Sequence, residues 1–184
     1  MLKVTGSIKR AFTFPADPAT ALAYYSDLSR LIHFLPHVSL IQIYNRRQLR
    51  VCYQSLELGA YTVCIFCDLE SEVDPQNRIL TVSPMKSPTP VSSQANLNTT
   101  TGHGYFALET RFHDLGNQET RMEYILQLAA LLPRPRGLRL MPGRVVDRIT
   151  ASITDGRVRE IADGFVRHSI KAFPSWLAEN HTQI

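Results

Sequence analysis

From Arg144 to Phe173 the chain reads RVVDRITASITDGRVREIADGFVRHSIKAF, entered through Pro142 and Gly143 and free of proline until Pro174. A stretch of about thirty residues without a breaker predicts one long helix that ends at that proline. Val146, Ile149, Ile153, Ile161 and Phe165 form a slowly drifting apolar stripe, with Asp155, Arg159, Asp163, Arg167 and Lys171 opposite. Such a helix must bury one face along its length. Gly156 and Gly164 interrupt it, each costing about 0.5–1 kcal/mol relative to alanine, so they either admit a close backbone approach or are simply tolerated.

Almost everything before this helix alternates. Val4, Gly6, Ile8, Arg10, Phe12 and Phe14 share one parity, and Lys3, Thr5, Ser7, Lys9 and Thr13 the other, the signature of a half-buried strand. After Pro15, Asp17 is a candidate N-cap with Pro18 at the first helical position. Ala21, Leu22, Tyr25, Leu28, Leu31 and Ile32 follow at helical spacing, predicting one helix up to Phe34 or Leu35. VSLIQIY, QLRVCYQSLEL, AYTVCIFCDLESEV and RILTVSPM then read as strands joined by short turns, which implies antiparallel neighbours. The polar stretch Ser87–Gly102 reads as a long loop that can hide a brief strand. In GYFALETRFHDL and TRMEYILQLAAL, Phe106, Leu108, Phe112, Met122, Tyr124, Leu126 and Leu128 share the dry face. Glu109, Arg111, His113, Glu119, Arg121 and Glu123 share the wet one.

Two short patterns invite a metal reading and do not support it. His33 and His37 are four apart, but Pro36 disfavours helix at the residue before it. His33 therefore belongs to a last turn and His37 to the exit, with no third ligand of suitable spacing nearby. Cys64 and Cys67 lie three apart on a predicted strand, which sends them to opposite faces; with Cys52 they read as free, reduced, packed thiols. No metal or other cofactor is expected, and no nucleophile elbow, phosphate loop or spaced carboxylate pair is present.

The 184 residues are 44% hydrophobic and 20% charged, the balance expected of one globular domain, 1–184. The N-terminus lacks an apolar stretch of signal-peptide length, and Tyr124–Leu132 is too short to span a bilayer, so the expectation is a cytoplasmic protein. A net charge of +4 without interleaved stacking aromatics argues against nucleic acid as a partner. The positive charge is nonetheless clustered. Arg134, Arg136, Arg139 and Arg144 are interleaved with Leu131, Leu132, Leu138, Leu140 and Met141 in a junction broken by three prolines. This junction is a candidate portal, or a contact with a membrane surface or protein, against the plainer reading of loop packing with solvated arginines.

The order strand, helix, meander of about six strands and long C-terminal helix resembles the α+β helix-grip fold of START lipid-transfer domains, Bet v 1 allergens and polyketide cyclases. FTFPADPATALAYYSDLSRLIHFLPHV is similar to the strand-to-helix opening of that superfamily, and LLPRPRGLRLMPGRVVDRI resembles the junction ahead of the last helix in DUF1997, an uncharacterised family of oxygenic phototrophs. The resemblance implies a curved antiparallel sheet around the last helix, enclosing an apolar cavity. By parity, the candidate lining residues are Tyr53, Ile65, Phe106, Phe112, Tyr124 and Leu126 from the sheet and Ile161 and Phe165 from the helix. Arg10, the one charged residue on the apolar parity of its strand, is a candidate polar anchor, against an edge position or snorkelling to solvent.

The expected function is therefore carriage or sensing of a small hydrophobic molecule, of lipid, isoprenoid or pigment type. The alternatives are a cyclase or isomerase using scattered polar groups in the same cavity, and an assembly or scaffold protein acting through the basic junction.

Overall fold

The computed structural model describes residues 1–181. The chain runs β1 (Leu2–Phe14), α1 (Pro18–Tyr25), α2 (Leu28–His33), β2 (Val38–Asn45), β3 (Gln48–Glu57), β4 (Tyr61–Asp74), β5 (Ile79–Pro84), β6 (Gln94–Ala95), β7 (Thr99–Gly116) and β8 (Glu119–Leu132). A short 3-10 turn (Arg136–Leu138) and α3 (Gly143–His181) complete it. The strands form one sheet in the order β1-β8-β7-β5-β4-β3-β2, with β6 on β7, and α3 lies across its concave face.

Neighbours pair antiparallel with one exception. β5 is too short to separate β4 from β7 along their whole length. Where it is absent, Thr62–Phe66 pair directly and in parallel with Thr99–His103. The strands joined by short turns pair antiparallel as expected, and the one parallel contact joins strands remote in sequence. Phe106, Leu108, Phe112, Met122, Tyr124, Leu126 and Leu128 do share the concave face, while Arg111–Glu109 and Arg121–Glu123 ion pairs decorate the convex one.

The predicted first helix is two. Ser26 Oγ donates to the Leu22 carbonyl at 2.5 Å, and Asp27 accepts from the Arg30 N–H at 3.2 Å as the cap of a new helix. Side chains that compete for backbone hydrogen bonds break a continuous helix, which apolar spacing alone does not reveal. Asp17 caps α1 as expected, accepting from Ala19 and Thr20. α2 ends at His33, and His37 sits at φ 63°, outside the helix.

At the other end of the chain the helix continues through Pro174 to His181, contrary to expectation. A proline inside a helix costs about 3 kcal/mol. The turns around it bury enough aromatic surface to outweigh that cost. Phe173 lies 4.6 Å from Phe14 between ring centroids, Trp176 lies 5.1 Å from Tyr24, and the Arg30 guanidinium covers both Tyr24 and Trp176 at 5.7 Å. The two helix glycines also resolve differently. A Cβ on Gly164 would fall 2.3 Å from Pro36 Cγ, so this glycine admits the HFLPH turn, whereas Gly156 has nothing within 4 Å and is tolerated.

Beside Phe14, the rings of Tyr24, Tyr25, Phe112, Phe165 and Tyr124 close off one half of the space under the helix. Their hydroxyls are spent on α3. Tyr24 donates to the Ser169 carbonyl, Tyr25 to Ser169 Oγ and Tyr124 to the Ala162 carbonyl, each at 2.8 Å.

Candidate functional site

The other half is not filled. Between the concave sheet and the first part of α3 lies a cavity of about 140 Å³, walled by Val51, Ile65 and Cys67 on β3 and β4, Phe106 and Leu128 on β7 and β8, and Ile149, Ile153 and Ile161 on α3. Leu138 and Met141 of the junction close its outer end. A cavity of about 150 Å³ is enough for benzene, while sites for drug-sized ligands run to about 300–1,000 Å³. The space as it stands fits a single ring, and a longer molecule would extend through the mouth.

Of the sequence-derived candidates, Tyr53, Ile65, Phe106 and Ile161 stand in this wall. Phe112, Tyr124, Leu126 and Phe165 are on the correct faces but outside it; all four are buried in the packed half, 5.6 Å separating the rings of Tyr124 and Phe165. Arg10 is also outside. β1 is an edge strand, and Arg10 Nε reaches Asp163 on α3 at 3.2 Å with more than a third of its side chain in solvent, so the anchor reading gives way to an edge ion pair.

The junction divides as well. Arg134 is half-buried and donates to the carbonyls of Leu138 and Met141, holding the turn together, whereas Arg136, Arg139 and Arg144 are exposed. Leu140 beside them is 96% exposed, and Leu58 and Val145 are exposed near the same mouth.

One end of the cavity is polar. Tyr53, Ser55 and Glu57 follow one another on the concave side of β3, and Arg157 faces them from α3. Arg157 donates to Glu57 through Nε at 2.9 Å and Nη2 at 3.3 Å, and through Nη1 to Glu160 at 2.6 Å. His37 Nε2 lies 2.9 Å from Glu160 Oε1. The hydrogen bonds from His37 and then Arg157 hold the Glu160 carboxyl below its ordinary range. Burial raises the Tyr53 phenol, with the neighbouring Ser55 hydroxyl and Arg157 opposing. Sequence reading missed this group, although a signal was present. Ser55 and Glu57 break the apolar parity of β3, and Arg157 sits midway in the i, i+4 series Ile149, Ile153, Ile161.

The buried cysteine thiols are held protonated here. All three cysteines are free, and burial pushes the Cys52 thiol up to about 11 and the cavity-lining Cys67 thiol up to about 12, far from a reactive thiolate. Among the described residues no group of three His, Cys, Asp or Glu side chains is placed to hold a metal ion, and no helix is long and apolar enough to cross a membrane.

A second polar cluster lies on the convex face. Asp68, whose side chain is fully buried, accepts from Arg50 Nε and Nη2 at 2.8 Å each and from Tyr44 at 2.9 Å, with His103 Nε2 at 3.2 Å. Burial pushes its carboxyl up, but the hydrogen bonds and the Arg50 charge together outweigh burial and leave it below the ordinary value. Arg50 and Tyr44 also reach Thr89, so this cluster ties the long loop to the back of the sheet and has no part in the cavity.

No family model matches the chain, and no curated protein matches it by sequence. Its shape does have counterparts among solved structures. The Zhui aromatase/cyclase of Streptomyces sp. R1128 superposes with a TM-score of 0.51 at 8% identity, covering 92% of this chain and 96% of that one. A conserved protein of Geobacillus kaustophilus gives 0.52 at 13% identity, covering 95% and 96%, and a Deinococcus radiodurans protein 0.50 at 12%, covering 89% and 95%. The likeness establishes the fold: a curved antiparallel sheet gripping a long C-terminal helix, the helix-grip arrangement.

Proposed function

We propose that this protein is a binding module that holds a small hydrophobic molecule in the cavity under α3, as a carrier or sensor. The observation that carries the reading is the half-and-half interior: buried aromatic rings fill one end, while largely aliphatic walls leave the other open. A cyclase or isomerase reading finds less support. The lining contains no His or Asp, and its one carboxylate, Glu57, is committed to Arg157. The narrower kinship with DUF1997 rests on the junction residues Leu131–Ile149 alone.

The test is titration with p-xylene while following side-chain methyl resonances by NMR. Methyls of Val51, Ile65, Ile153 and Ile161 are expected to shift, while those around Phe165 stay in place. Absence of any wall-methyl shift at saturating p-xylene overturns the reading.

The rim supports a loading site at an anionic membrane surface, where the exposed Leu140 and Leu58 dip in and Arg136, Arg139 and Arg144 meet headgroups. Replacing those three arginines by glutamine is expected to remove salt-sensitive binding to phosphatidylserine vesicles without lowering Tm. Binding that survives the change excludes the rim as the contact.

A further inference from the structure

Along β3 the concave side chains run Val51, Tyr53, Ser55, Glu57, so the wall turns from apolar to polar toward Arg157. Glu57 and Arg157 satisfy each other, and Glu160 and His37 complete their network. Ser55 is different. It is 5% exposed, it lines the cavity, and its Oγ makes no hydrogen bond of normal geometry to any described residue, the Tyr53 phenol lying close enough to interact with it but not bonded. A buried hydroxyl left unpaired lowers stability relative to alanine at the same place, so its presence in a cavity wall points to a partner that arrives with a guest.

The charges nearby restrict that guest. A carboxylate bonded to Ser55 would come to rest beside Glu57 and Glu160, two carboxylates already sharing the single Arg157 guanidinium. Like-charge repulsion and lost hydration both count against it. A neutral oxygen meets no such opposition, and the remaining walls are predominantly apolar, the hydroxyls of Thr100 and Thr154 being spent on backbone carbonyls.

We infer, building on the cavity as a ligand site, that the ligand is an apolar body bearing one neutral hydroxyl or carbonyl oxygen, which Ser55 Oγ anchors next to Tyr53 and the Glu57–Arg157 pair.

The experiment compares p-xylene, p-cresol and p-toluate, which differ by a methyl, a hydroxyl or a carboxylate in one position, on the wild-type protein and Ser55→Ala. Wild type is expected to bind p-cresol about five- to tenfold more tightly than Ser55→Ala does, with p-xylene bound equally by both and p-toluate by neither. Ser55→Ala should also melt about 2–4 °C higher, since the hydroxyl has no partner in the free protein. Equal p-cresol affinities, with p-xylene still bound, remove Ser55 as the anchor and leave the cavity reading intact. Failure of p-xylene and p-cresol alike overturns both. A lower-melting Ser55→Ala means that the hydroxyl serves the fold and overturns the inference. Should Ser55→Ala fail to fold, Ser55→Cys, which keeps the size but donates weakly, carries the same comparison and should show the same sign of loss.

Discussion

The two halves of the space under α3 are built from the same sheet and the same helix, yet one is solid and the other hollow. At the solid end Phe14, Tyr24, Tyr25, Tyr124 and Phe165 fill the gap with rings, and each tyrosine hydroxyl is anchored on α3. At the hollow end the facing positions are Val51, Ile65, Ile149 and Ile153, too short to meet across the curvature. On the proposed reading, stability and ligand binding are separated along one helix. The rings hold α3 against the sheet, and that anchorage lets the other end remain open without collapse.

The largest effect should come from the solid end. Phe165→Ala is expected to cost about 3–5 kcal/mol in chemical denaturation while leaving p-xylene binding unchanged in the protein that remains folded. Loss of p-xylene affinity as well would mean that the two halves are one space.

Next is the response to alkali. Burial pushes the Tyr24 phenol up to about 12 from an ordinary 10, so the folded state favours its neutral form. Its contribution is intact below pH 10 and is lost as pH rises from 10 toward 12, by about 2–3 kcal/mol in all. Tyr24→Phe should flatten that decline, read as Tm against pH. An unchanged slope would place the alkaline sensitivity elsewhere.

The hollow end should barely register in stability and strongly in binding. Ile153→Trp puts an indole into the cavity and is expected to change stability by under about 1 kcal/mol while abolishing p-xylene uptake. A folded Ile153→Trp protein that still binds p-xylene would move the site.

Smallest is the acid limb. The Glu160 carboxyl lies below its ordinary value, so its contribution is present above pH 4.5 and is lost as pH falls through the lowered value. Glu160→Gln should reduce the acid slope slightly, the group being partly in solvent.

Period-two and helical spacing made the order of elements, the wet and dry faces and the Asp17 cap legible, because each is a local consequence of side-chain direction. Pro174 and the Ser26–Asp27 break were misread for the same reason: distant aromatic packing and side-chain caps overrode the local pattern. The candidate site divides along a similar line. Parity says which face a residue occupies but not how far along the strand curvature opens a void. Tyr53, Ile65, Phe106 and Ile161 therefore reached the wall, while Phe112, Tyr124, Leu126 and Phe165 fell in the packed half. Ser55 and Arg157 were detectable as polar residues on apolar parities, yet only the fold shows that Arg157 pairs with Glu57, a hundred residues away, and that Ser55 is left unpaired.

The most direct test of the central claim is native mass spectrometry of the protein purified from its own host, set beside the same sample after denaturing extraction. The account predicts a one-to-one adduct of an apolar, singly oxygenated neutral molecule that denaturation releases and that Ile153→Trp lacks. A native mass equal to the bare chain, in a protein that also fails to take up p-xylene or p-cresol, would contradict it.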